Sequence, residues 1–148
     1  MKSNRHRARE FALQGLYQWQ LSKTDPATIR AQLAETDDFS KCDKHLFERM
    51  WTGITTEYDA LVLAFAPHSE RAAAQLSPIE RGVLVIGAWE LLHQPEVPYR
   101  VAINEAVELA KSYGGTDGHK FVNGVLDKLA ATLREGEIDA ARRDTGSD

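Results

Sequence analysis

The sequence predicts an all-α fold on three observations. Apolar residues recur at three- and four-residue steps along almost the whole chain. No run alternates apolar and polar residues as a half-buried strand would. Proline, glycine and capping residues stand where such helical stretches should start and stop.

A first helix over about residues 5–22 sets Ala8, Phe11, Ala12, Gly15, Leu16 and Trp19 on one stripe. Asp25 is a good N-cap, and Pro26 a good first-turn residue, for a short helix carrying Ile29 and Leu33. After the polar stretch around Asp37-Asp38-Phe39-Ser40 the periodicity predicts one long helix from about Asp43 to Ala66. It holds Leu46, Phe47, Met50, Trp51, Ile54, Tyr58, Leu61, Val62 and Phe65 in register, and Pro67 ends it.

Residues 70–75 read as a weak helical segment, and Ser77-Pro78-Ile79-Glu80 then supplies a capping box with Pro78 at the first helical position. From Ile79 to Leu92 apolar residues cover the full circumference, interrupted only by Glu80, Arg81 and Glu90, which marks a central helix packed on several sides. Gly82 and Gly87 would let its neighbours come close. Past Pro95 and Pro98, residues 100–113 turn Ala102, Ile103, Ala106, Val107, Leu109, Ala110 and Tyr113 inward and Asn104, Glu105, Glu108 and Lys111 outward, until Gly114-Gly115 stops the helix. A last helix over about 117–134 buries Val122, Val125, Leu126, Leu129 and Leu133, with Asp117 or Thr116 as its cap. The expected organisation is one domain over residues 1–135, built of two three-helix sub-bundles (about 5–67 and 70–134), and a flexible polar tail over 136–148.

At 148 residues and 43% hydrophobic composition, the chain can bury a core of its own. No apolar stretch is long enough to span a membrane and no apolar signal core follows Met1, so a cytoplasmic protein is expected. Cys42, the lone cysteine, allows no intramolecular disulfide.

Charge is unevenly placed. The chain carries 18 Lys+Arg against 22 Asp+Glu, yet Lys2, Arg5, Arg7 and Arg9 crowd its first twenty residues, opposed there only by Glu10. A local cationic patch on an acidic body draws polyanions to one spot and repels them elsewhere. Cations at a helix N-terminus also oppose the macrodipole unless an anion neutralises them, which favours phosphate binding over a merely solvated helix start. Tyr17 points away from the buried stripe, to stack on a base, anchor a protein partner or lie under another helix. On the last helix Lys120 and Asn123 share the polar face, and Phe121 lies at the edge of the buried stripe, either as a stacking platform or as a rim of the core. A cation, an amide and an aromatic suit unstacked single-stranded RNA better than a duplex.

Three blocks of sequence carry a resemblance: Arg7-Ala8-Arg9-Glu10 with Ala12-Leu13-Gln14 and Leu16-Tyr17; Leu76-Ser77-Pro78-Ile79-Glu80-Arg81; and Pro98-Tyr99-Arg100-Val101-Ala102-Ile103-Asn104-Glu105-Ala106 continuing to Asp117-Gly118-His119-Lys120-Phe121-Val122-Asn123-Gly124-Val125-Leu126-Asp127. Over nearly its whole length the chain resembles the NusB family of bacterial transcription antitermination factors. The resemblance implies an all-helical fold of two three-helix sub-bundles, no catalysis, and binding of boxA RNA together with NusE, a small-subunit ribosomal protein. The pair would then join an antitermination complex on RNA polymerase during ribosomal RNA synthesis. Carried over residue by residue, it implies RNA contacts at Arg5, Arg7, Arg9, Lys120, Phe121 and Asn123, with Lys2 in the same cationic run, and partner contacts at Tyr17 and Glu80. His6 interrupts a run that is often all arginine in relatives, a departure from the family's pattern that bears on one phosphate contact at neutral pH.

Asp117 and His119 could be drawn as a catalytic pair, but no serine or cysteine nucleophile stands in a recognisable motif, so no enzyme is expected. Cys42 and His45 have the spacing of half a zinc site without a second half, and Gly114-Gly115 follows a helix rather than preceding one, so neither a metal nor a phosphate-loop cofactor is expected. The competing reading is a protein-interaction adaptor, or a homodimer that hides its RNA face. Salt separates the two, because three to four cations on RNA phosphates give a log–log slope of roughly −2 to −3.

Overall fold

The computed structural model describes residues 2–115 and 117–146, and Thr116, one of the two caps considered for the last helix, lies outside them. Eight α-helices follow one another, with no strand among the described residues: α1 (Asn4–Ser22), α2 (Pro26–Ala34), α3 (Lys44–Thr56), α4 (Tyr58–Phe65), α5 (Pro78–His93), α6 (Tyr99–Tyr113), α7 (Gly118–Leu133) and α8 (Glu135–Gly146). Among the described residues no helix is long and apolar enough to cross a membrane.

Local chemistry starts most of them. Ser3, Asp25 and Asp43 each accept a backbone N–H in the first turn of α1, α2 and α3. The capping box of α5 is formed in full, the Ser77 hydroxyl taking the Glu80 N–H and the Glu80 carboxylate taking the Ser77 N–H.

Helix α5 is the axis of the molecule. Ten of its residues, Gly82–Leu91, are buried in an unbroken run, and it packs against α1, α3 and α4 on one side and α6 and α7 on the other. The buried apolar residues therefore form one continuous cluster rather than two cores. Close approach is built in: a Cβ added at Gly82 would meet Leu13 at 2.9 Å, and one at Gly87 would meet Leu126 at 2.7 Å.

Three segments differ from expectation. The single helix predicted from Asp43 to Ala66 bends at Glu57 and becomes α3 and α4. Ile54, Thr55 and Thr56 are all β-branched, and the Thr55 hydroxyl donates to the Trp51 carbonyl at 2.8 Å, which weakens the ladder just before the bend. Beyond it, Tyr58 turns to Gln20, its hydroxyl donating at 2.7 Å, and sets its ring edge-on to Trp19. Residues 70–75 make no α-helix: Ser69 Oγ accepts the Arg71 N–H and donates to the Arg71 carbonyl, a local turn that competes with helical pairing, and only Ala73–Gln75 form a 3-10 turn.

In the flexible polar tail expected over 136–148 the described part is instead helical, as α8 over Glu135–Gly146, and residues 147–148 lie outside the described residues. Pro98 offers α6 no side-chain cap, and Glu137 fills that role by accepting the Tyr99 N–H at 2.8 Å. Glu137 also pairs with the buried Arg134, and Ile138 packs against the core. Arg134 in turn donates to the carbonyls of Glu90, Leu91, Gln94 and Val97, closing the C-terminal end of α5.

Candidate nucleic-acid interface

The four cations at the start of the chain, Lys2 just before α1 and Arg5, Arg7 and Arg9 within it, have different fates. Arg9 is 2% exposed, with Nε donating to Glu90 Oε1 at 2.5 Å and Nη1 to Glu105 Oε1 at 3.1 Å. As an RNA contact it is a misreading: it lies next to Ala8 on the face that α1 turns to α5 and α6, and two carboxylates neutralise it there. Glu90 is itself 1% exposed. Burial pushes its carboxyl up from the ordinary value while the Arg9 guanidinium pulls it back, with a smaller contribution from Arg5.

Arg5 is exposed and Arg7 half-buried, and neither side chain makes a hydrogen bond or ion pair among the described residues. Lys2 reaches Glu10 at 2.8 Å from an exposed position. His6 turns inward, Nδ1 lying 2.7 Å from Glu105 and Nε2 3.9 Å from Glu10. A chain of polar contacts, Glu90–Arg9–Glu105–His6–Glu10–Lys2, thus ties α1 to α5 and α6.

Glu10 also accepts the Tyr113 hydroxyl at 2.7 Å. Expected inside, Tyr113 is 47% exposed. It stands with Tyr17 (44% exposed), Leu13, Gln14 and Ile79 around a small apolar pocket between α1, α5 and α6. Burial and the Glu10 carboxylate push the Tyr113 phenol up to about 12. Burial alone would raise the Glu10 carboxyl, but hydrogen bonds from Lys2 and Tyr113 outweigh it and hold it below the ordinary value.

From this pocket the surface continues to the start of α7. Glu80, one residue beyond Ile79, lies against Gly118, its Oε2 3.6 Å from where a Cβ there would stand. It accepts Nη2 of Arg71 at 2.9 Å, and the same guanidinium sits 3.9 Å above the centre of the Phe121 ring. Phe121 is half-buried and packs against the core. Lys120 is exposed and 3.7 Å from Asp117; Asp117 itself makes no side-chain cap to α7. Asn123 points elsewhere, into a polar groove between α6 and α7 lined by Tyr99, Arg100, Asn104 and Asp127. The structure therefore joins Lys2, Tyr17, Glu80 and Phe121 through Glu10, Tyr113, Ile79 and Arg71, while Asn123 lines a separate groove and Arg9 is removed.

Arg71 and Tyr113 escaped the sequence reading because one lies in a turn and the other at the last position of an amphipathic helix, where the stripe no longer predicts burial. Among the described residues no group of three or more His, Cys, Asp or Glu could hold a metal ion.

The model of the NusB family matches residues 6–131. The transcription antitermination protein NusB of Thiobacillus denitrificans is 52% identical over 97% of this chain and 99% of its own length. That of Bordetella pertussis is 54% identical over 96% of this chain and 95% of its own. A solved structure of T. maritima NusB superposes with a TM-score of 0.81 at 30% identity, covering 94% of this chain and 99% of that one. A crystal structure of antitermination factors NusB and NusE in complex with dsRNA shares the fold, with a TM-score of 0.75 at 24% identity over 87% of this chain and 97% of that one. Alike end to end in sequence and alike in helical arrangement, this chain belongs to the NusB family.

Proposed function

We propose that this protein is a cytoplasmic, non-enzymatic transcription antitermination factor that binds single-stranded boxA RNA together with NusE and joins the antitermination complex on RNA polymerase. Relatives that match it end to end are named as transcription antitermination proteins, and a NusB of the same fold has been crystallised with NusE and dsRNA. The observation that carries the reading is the asymmetry of the first helix. Arg5 and Arg7 stay unpaired among the described residues and Lys2 stays exposed, whereas the inward-turned Arg9 and His6 are matched with carboxylates. Unneutralised cations on an acidic chain are what a polyanion would seek.

In this reading Lys2, Arg5, Arg7 and Lys120 hold phosphates, Phe121 and Asn123 meet bases, and Tyr17 and Glu80 face NusE. Gel shifts with boxA RNA and a scrambled RNA, each with and without NusE, test it: boxA should be retarded more strongly, and most strongly with NusE present. The apolar pocket between Tyr17 and Tyr113 favours the second reading, a protein adaptor with little RNA affinity of its own. Retardation by NusE alone, with no dependence on RNA, would select that one.

A further inference from the structure

The Arg71 guanidinium has two simultaneous partners on two different helices. It lies 3.9 Å over one face of Phe121 on α7 and donates to the Glu80 carboxylate on α5 at 2.9 Å. Glu80 is mostly shielded and lies against Gly118, one turn before Phe121, so the carboxylate fixes the guanidinium where it covers the ring. The rest of Phe121 packs against the core. A base that stacks on this ring needs the face that Arg71 occupies.

We propose that Arg71 is a positioning residue that couples the two binding surfaces: it caps Phe121 in the free protein, and a cationic group of a protein partner that engages Glu80 releases it. The proposal rests on the reading of Phe121 as an RNA contact given above. Release does two things at once. It uncovers the aromatic face, and it frees a cation beside that face for a phosphate. Partner and RNA then each favour the other through one side chain, since coupling between two sites is reciprocal.

Glu80→Gln is the informative variant, because glutamine at this position keeps the capping box while losing the charge that holds Arg71. Fluorescence anisotropy of the full chain with a labelled single-stranded boxA RNA, without any protein partner, should show Glu80→Gln binding about two- to fivefold more tightly than wild type, the size of an exposed cation–aromatic contact. The gain should vanish when Phe121→Leu is added, since leucine keeps the apolar packing and removes the ring. A gain that persists with Phe121→Leu means that Glu80 acts through charge alone and overturns the proposal. So does the absence of any gain while wild type binds RNA.

The latch also has a signature that needs no RNA. The Arg71 δ-methylene protons should be shifted upfield by the Phe121 ring current in wild type and move back in Glu80→Gln; an unchanged shift refutes the coupling. Failure of wild type to bind RNA at all would instead remove the underlying reading, and the proposal with it.

Discussion

Arg9 and Glu90 meet 2.5 Å apart where α1 crosses α5, a guanidinium and a carboxylate both almost wholly excluded from water. Glu105 takes a second nitrogen of Arg9 from α6, so the pair joins three helices. Removing one partner of such a pair leaves the other charged in the interior. Arg9→Ala should therefore lower stability by about 3–5 kcal/mol in urea unfolding, and replacing both by apolar residues, Arg9→Met with Glu90→Leu, should restore most of it. A mild, surface-like loss for Arg9→Ala would show that the charge is not sealed in.

Arg5 and Arg7 should behave in the opposite way. Each is free of ion pairs among the described residues, so alanine at either should leave the melting temperature nearly unchanged and weaken every RNA alike. Each substitution should also make the log affinity against log salt slope shallower by about 0.7, the value for one phosphate contact on a single strand.

Tyr113 gives a spectroscopic handle on the pocket beside Tyr17. Its phenol, pushed up to about 12 by burial and by the Glu10 carboxylate, should appear as a late phase in an absorbance titration, well above the ordinary value of 10. A raised phenol favours the folded state below the ordinary value near 10 and loses that contribution as pH climbs toward 12. Glu10, held low, works at the other end: its contribution is present above the ordinary carboxyl value and disappears as pH falls through the lowered one. Glu10→Gln should bring the Tyr113 titration back toward 10 and flatten the acid limb of the stability profile.

Arg134→Lys tests the closure of α5. One guanidinium serves four carbonyls, at residues 90, 91, 94 and 97, and a lysine ammonium cannot reproduce that fork. A loss of about 2–3 kcal/mol is expected by thermal or urea melting. Glu137→Ala, which removes the cap that α8 lends to α6, should cost less, about 1 kcal/mol.

What could be read in the chain beforehand was local. The start of α5 was legible because Ser77, Pro78 and Glu80 act within one turn, and its central place because its apolar residues leave no polar side. The bend at Glu57 and the turn at Ser69 depend on hydroxyls of Thr55 and Ser69 bonding backbone, which periodicity does not register. Helix α8 is polar in composition and owes its place to Glu137 and Arg134 reaching segments far away in sequence.

The same limit governed the site. Arg5, Arg7 and Arg9 are one residue type in one run, and what distinguishes Arg9 is a carboxylate 81 positions away. A clue was present on both sides: Glu90 stands in a helix with no other outlet for its charge, and Arg9 adjoins the Ala8–Ala12 stripe. Phe121 was ambiguous for a physical reason as well, since it packs inward while showing one face to Arg71.

Because α5 is common to the neighbours on either flank, neither end of the chain retains an interior once the other lets go. Amide hydrogen exchange should find the slowest protons along Val83–Leu91, released together with those of α1 and α7 in a single global opening. Evolutionary or engineered trimming can therefore reshape the loops at the rim, but it cannot divide this protein into halves that each survive alone.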